Sequence, residues 1–268
     1  MNADAERARH PERPSPAVVV LAAVGAALFA LPLIGLALRT PLGDLGGELA
    51  TPEIQSALRL SLVCSLSATA LAVVFGLPLA WMQARVPFPG RRVLRALTTL
   101  PIVLPPVVAG VALLVVFGRR GLLGARLDAW FGIRLPFSVA GAVLAETFVA
   151  MPFFVLTMEG ALRAVDRRLE DAARTLGASR WTVFRRVTLP LVRPSLVAGA
   201  VLTWARALGE FGATITFAGN VPGRTQTLPL AVYLALETRP EAAFALSLVL
   251  LAVSLAVLIG LRGRWLGD

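Results

Sequence analysis

Long apolar runs alternate along the chain with segments that carry arginine. Six runs are as long as a bilayer is thick: Ala17–Leu38, Leu60–Met82, Leu97–Phe117, Val139–Met158, Leu196–Ala218 and Ala242–Leu261. About 20 helical residues cross the hydrocarbon of a membrane, so each run is predicted to be a transmembrane helix. The chain is expected to be an all-α integral membrane protein with six spans. Pro101, Pro105 and Pro106 fall in the third run and Pro152 in the fourth. Backbone groups freed by proline are costly in lipid, which predicts packing against other helices or a watered cavity there. Gly199, Gly209 and Gly212, with alanines around them, predict close helix contacts. Arg7, Arg9 and Arg13 precede the first run as they would a signal peptide, but its 22 uncharged residues exceed a signal core of about 7–15. A retained helix at 17–38 is expected, after a tail at 1–16 and before a main domain at 53–262.

The pattern changes between the fourth and fifth spans. In the loop at 159–190, Leu162, Val165, Leu169, Ala172 or Ala173, and Leu176 recur at three- and four-residue spacing, one apolar stripe on a helix. Gly177 stands where a helix C-cap belongs. Ser179 is placed to cap a second short helix, with Trp181, Phe184 and Val187 on its apolar face and Pro190 closing it. Two short helices joined at a glycine predict a compact knob beside the membrane. Arg163, Arg167, Arg168, Arg185 and Arg186 would equally suit an amphipathic helix lying on anionic lipid.

Charge fixes an orientation. Only 16% of residues are charged, against about 25% in soluble domains, and 57% are hydrophobic, with a mean hydropathy of +0.76. The net charge of +10 comes from 26 arginines and no lysine. A basic balance fits nucleic acid in a soluble protein; here it fits cytoplasmic loops, and no nucleic-acid partner is expected. With both termini inside, the inner segments 1–16, 83–96, 159–195 and 262–268 hold 17 arginines and the outer ones 7. The missing lysine also excludes a phosphate-binding P-loop, whose lysine reaches the terminal phosphates, so any ATP must be hydrolysed by another chain. Cys64 has no cysteine partner, and the one histidine, His10, lies in the polar tail. Neither a metal site, a nucleophile–base pair nor a cofactor is expected, and the chain is expected not to be an enzyme.

Asp171-Ala172-Ala173-x-x-x-Gly177, running on to Leu189-Pro190, resembles the EAA loop of ABC importer permeases, with aspartate in the usual glutamate position. The resemblance implies that Asp171, Ala172, Ala173, Gly177, Trp181, Phe184, Leu189 and Pro190 dock an ATP-hydrolysing subunit. Leu104-Pro105-Pro106-Val107-Val108, Gly118-Arg119-Arg120-Gly121, the run Ala205–Thr214 and Asn220-x-Pro222-Gly223-x-Thr225-Gln226-Thr227-Leu228-Pro229 resemble molybdate permeases from about residue 53 to 260. Sulfate permeases share the Ala-Arg-x-x-Gly-Glu-like core and diverge after it. This likeness implies a type I (MetI-like) ABC importer fold in the cell membrane, a homodimer, two ATP-binding cassette subunits and an external oxyanion-binding protein.

Glu146, Arg206 and Glu210 fall inside predicted spans, where ionisable groups are expensive and face a bundle interior or a watered path. Thr203, Arg206, Glu210 and Thr214 share a helix face at spacings of three, four and four, and Arg206 can pair with Glu210. Two readings stay open: the stripe lines a translocation route, or the pair locks helix packing. At Asn220–Pro229 the turn-rich sequence reads as a contact surface for the binding protein, through Asn220, Arg224 and Gln226, or as a plain connector. Gly118–Phe131 is a second candidate surface or an interface anchor. Outside the leading class stands a proton-coupled secondary transporter using Glu146 and Glu210. Within it stands a sulfate or thiosulfate permease.

Overall fold

The computed structural model describes residues 15–40, 43 and 45–265. Most of the predicted tail at 1–16, with Arg7, Arg9, His10 and Arg13, lies outside the described residues, as do 266–268 of the last inner segment. All regular structure among the described residues is helical. In order come α1 (Pro16–Arg39), α2 (Leu45–Leu49), α3 (Pro52–Arg85), α4 (Arg91–Val103), α5 (Pro106–Phe117), α6 (Gly124–Phe131) and α7 (Val139–Ala164). Next are α8 (Arg167–Thr175), α9 (Arg180–Val183), a π-helical turn at Phe184–Thr188, α10 (Leu189–Leu208), α11 (Gly212–Ala218), α12 (Leu228–Thr238) and α13 (Pro240–Trp265).

α3, α7 and α10 pack together as the centre of the bundle. Lipid tails are as apolar as leucine, so helices associate here through close van der Waals contact and small residues. On α3 the buried face is Ser61, Ser65, Ala68, Ala72, Gly76 and Ala80. A Cβ on Gly76 would stand 2.9 Å from Phe154 Cδ1, so the ring of α7 occupies the space that glycine leaves. α1 buries none of its residues and packs mainly along α13.

Among the described residues, four helical runs are long and apolar enough to cross a membrane: Pro16–Arg39, Pro52–Arg85, Val139–Ala164 and Arg180–Leu208. They correspond to the first, second, fourth and fifth predicted spans. The third is represented by the shorter apolar helix Pro106–Phe117, and the sixth falls within α13. The third run breaks because Leu104 and Pro105 are extended, with ψ of 134° and 133°; a residue before proline is pushed out of the helical region. The fifth run also breaks, at Gly209–Phe211, between α10 and α11.

Those two breaks face each other. α5 packs on α11, where a Cβ on Gly212 would lie 2.6 Å from Pro106 Cβ and one on Gly110 would lie 2.5 Å from Thr216 Cβ. A Cβ on Gly199 would lie 3.3 Å from Thr157 Cβ, whereas one on Gly209 would meet only its own helix. Overpacking a tight contact costs about 1–3 kcal/mol. Gly110→Ala is therefore expected to lower the melting temperature of the purified protein by several degrees, and an unchanged melt would contradict the close approach.

Candidate functional site

α7 runs past the predicted end of its span, so residues 159–164 belong to that helix and not to the loop. Its last turns are tied by a polar layer. Buried Glu159 accepts from Arg163 Nη2 at 2.6 Å and pairs with Arg95 Nε of α4 at 3.1 Å. Gln83 Nε2 of α3 donates to Thr98 Oγ1 of α4 at 3.0 Å.

The predicted single stripe from Leu162 to Leu176 is divided. Leu162 is buried in α7, and Val165 is extended. Asp166 then starts α8 afresh, its carboxylate accepting from the Arg168 backbone N–H at 2.9 Å, as an N-cap does. Leu169 on the new helix and Leu176 at its C-cap are 50% and 88% exposed. The residue that α8 turns inward is Glu170. Its Oε1 accepts from Thr188 Oγ1 at 2.7 Å and from Arg85 Nη2 at 3.2 Å, tying the knob to the end of α3.

Gly177 adopts φ +84° with open space where a Cβ would stand, so glycine is needed here for its backbone and not for packing. Ser179 Oγ accepts from Thr182 N–H at 3.2 Å and caps α9. The predicted closure at Pro190 is corrected. The Leu189 N–H bonds to Phe184 O, five residues back, and the helical run continues into the membrane as α10. Proline is tolerated in a first turn, and the π turn has already shifted the bonding register there.

The predicted docking residues lie on or under this knob. Asp171 is exposed and pairs with Arg174 at 3.4 Å. Ala172 and Pro190 are exposed, and Ala173 and Leu189 half-buried. Trp181, 67% exposed, stacks on Phe184 with ring centroids 5.6 Å apart, and Phe184 meets Trp81 edge-on at 5.3 Å. The aromatic ladder and the Glu170–Arg85 pair fix the knob to α3 at two points.

The intramembrane residues gather between α3, α7 and the α10–α11 break. Arg206 Nη1 lies 2.6 Å from Glu210 Oε2, and Glu210 Oε1 accepts from the Ala213 N–H at 2.9 Å. Glu210 is not on a continuous helix face as expected but in the break, where it satisfies both the guanidinium and an orphan amide at the start of α11. Thr203 and Thr214 are fully buried, and their Oγ1 atoms lack a hydrogen-bond partner among the described residues. Glu146 of α7 is buried with Oε2 unpartnered among the described residues. Arg206, with 29% of its side chain exposed, is the member of the stripe open to its surroundings.

The loop after α11 is fixed rather than loose. Val221 O accepts from the amides of Arg224, Thr225 and Gln226, and Ser61 Oγ of α3 accepts from Leu228 N–H at 2.6 Å, capping α12. Arg224 is exposed at its tip, Asn220 is half-buried, and Gln226 is buried, so Gln226 is not a surface contact. In the other candidate surface, Asp128 pairs with Arg134 at 2.9 Å and Arg119 at 3.7 Å. Glu159, Glu170 and Ser61 carry no sign of their roles in the sequence; an acidic residue in an arginine-rich loop reads as solvated, and only the distant partner reveals otherwise.

Residues 72–266 match the family described as binding-protein-dependent transport system inner membrane component. The molybdenum transport system permease protein ModB of Mycobacterium tuberculosis is 47% identical over 95% of this chain and 97% of its own. That of Escherichia coli is 48% identical over 81% and 95%. The sulfate transport system permease protein CysT of Escherichia coli is 40% identical over 79% and 76%. A bacterial ABC transporter that imports alginate superposes with a TM-score of 0.72 at 18% identity, over 92% of this chain and 93% of that one. The MetNI methionine ABC transporter superposes at 0.60 and 18%, over 79% and 96%. The fold is thus that of type I ABC importer transmembrane domains, and the chain is a multi-pass member of the binding-protein-dependent transport system inner membrane component family.

Proposed function

We propose that this chain is the permease subunit of an ATP-driven importer that moves molybdate, and tungstate as an anion of like shape and charge, by alternating access. The observation that carries the cargo is the identity of 47–48% to molybdenum permeases across nearly their whole length. Sulfate permeases stand at 40–41%, which makes sulfate the second reading. In the proposed assembly two copies of the chain form the pathway, with six crossings each and both termini cytoplasmic. Two ATP-binding cassette subunits seat on the knobs, and an extracytoplasmic binding protein delivers the anion near Arg224. Leu169, Leu176 and Trp181 support the seat, because three large apolar side chains left open on a small knob mark an interaction surface.

Leu176→Glu changes a side chain that is 88% exposed, so the fold should survive while the ATPase subunit no longer co-purifies. Retention of the ATPase would place its seat elsewhere. The cargo is tested by reconstituting the chain with the ATPase and binding protein encoded beside it and measuring ATP turnover. Molybdate and tungstate are expected to stimulate it and sulfate to leave it basal; equal stimulation by sulfate overturns the cargo. Transport by this chain alone, abolished by an uncoupler, would establish a secondary transporter instead.

A further inference from the structure

The knob has a second face, against the end of α3, that does not include Leu176. A cleft of about 400 Å³ opens there, lined by Arg85, Arg167, Arg174 and Arg180, by Glu170 and Asp171, and by Trp81, Val86, Val183 and Phe184. Its charges do not cancel. Glu170 is held by Arg85 at 3.2 Å and Asp171 by Arg174 at 3.4 Å, which leaves the exposed Arg167 and Arg180 without a carboxylate among the described residues. Arg85 is only 8% exposed, and its buried Nε has no hydrogen-bond partner among the described residues.

We propose that this cleft binds the phosphate of an anionic phospholipid from the leaflet at the knob end of the bundle. A guanidinium matches phosphate oxygens in shape and charge, and basic pockets between helix ends are sites for lipid headgroups. A free tetrahedral oxyanion shares that chemistry, but it would fill little of the cleft and leave the apolar wall of Trp81, Val86, Val183 and Phe184 uncovered. A lipid supplies both the anion and the apolar stem, and the cleft lies where the apolar span α3 ends. The cleft borders the proposed ATPase seat and shares Asp171 and Phe184 with it, but Arg167 and Arg180 are not docking residues, and the site is independent of the cargo because it needs only the membrane crossing and the cleft.

The test uses the complete transporter purified with its ATPase subunits, delipidated in detergent and weighed by native mass spectrometry with phosphatidylglycerol or phosphatidylcholine. The wild type is expected to retain phosphatidylglycerol in preference to phosphatidylcholine. Each of Arg167→Gln and Arg180→Gln should weaken that retention roughly five-fold. Arg167→Lys with Arg180→Lys should keep most of it, and Arg120→Gln, away from the cleft, should keep all. Equal retention by the wild type and the double glutamine variant overturns the proposal. So does displacement of bound lipid by inorganic phosphate or molybdate at concentrations that leave lipid at other sites untouched, since the occupant would then be a free oxyanion.

Discussion

Glu170→Ala is expected to uncouple the transporter and to loosen the knob at once. The carboxylate is buried and is the anchor for both Arg85 and Thr188. Removing one partner of a buried ion pair leaves the other charge uncompensated, at roughly 3–5 kcal/mol. Part of that cost appears as a lower melting temperature. The larger effect should be functional: cargo-stimulated ATP turnover falls to the basal rate, because the knob no longer moves with α3. Replacing both partners, as Arg85→Met with Glu170→Leu, removes the stranded charge and should recover most of the stability. Coupling should return in part, carried by the remaining contact from Trp181 through Phe184 to Trp81. Full coupling in the single alanine variant would show that this pair does not transmit the motion.

Arg206→Ala is expected to abolish transport while leaving the ATPase subunits bound. Arg206 and Glu210 lie 2.6 Å apart, and Glu210 is almost fully buried, so the single change costs about 3 kcal/mol. Glu210→Gln removes the charge and retains an acceptor for the Ala213 amide. The double variant Arg206→Ala with Glu210→Gln therefore separates the two readings of the pair. If the arginine offers positive potential to a passing dianion, the double variant folds, assembles and does not transport. If the pair serves only to hold the α10–α11 break, neutralising both sides restores transport along with stability. Thermal melting, co-purification of the ATPase and uptake by proteoliposomes read the three outcomes separately.

The α-helical class, the membrane crossing and the knob were legible in the sequence because each depends on local spacing. Gly177 acts through its own backbone and Ser179 through its Oγ on an N–H three residues on, and both perform the caps their positions suggest. Continuity of the spans was less legible. An apolar count registers Leu97–Phe117 as one run, although Leu104 and Pro105 turn the backbone out of the helix. The Pro-Pro pair carried that signal, and length concealed it. Glu170 lay beyond any local rule: its partner Arg85 is 85 positions earlier, and nothing in a 3.6-residue period records that meeting. Asp166 was the readable clue to the division of the loop, since a capping aspartate before Arg167 starts a helix and so ends the stripe at Val165. The same limit applies to Gln226. A turn-rich composition marks a loop, but burial of that side chain depends on how the loop folds onto its neighbours.

α3 touches both ends of the molecule. Near one end Ser61 caps the helix that follows the Asn220–Gln226 loop, and at the other Arg85 holds Glu170 of the knob; Ser61 and Arg85 are about 36 Å apart along one helix. The two contacts are thus joined by a single element. A nudge where a delivery protein would press and a stroke where ATP closure would pull are then mechanically the same event, felt at opposite ends of one part.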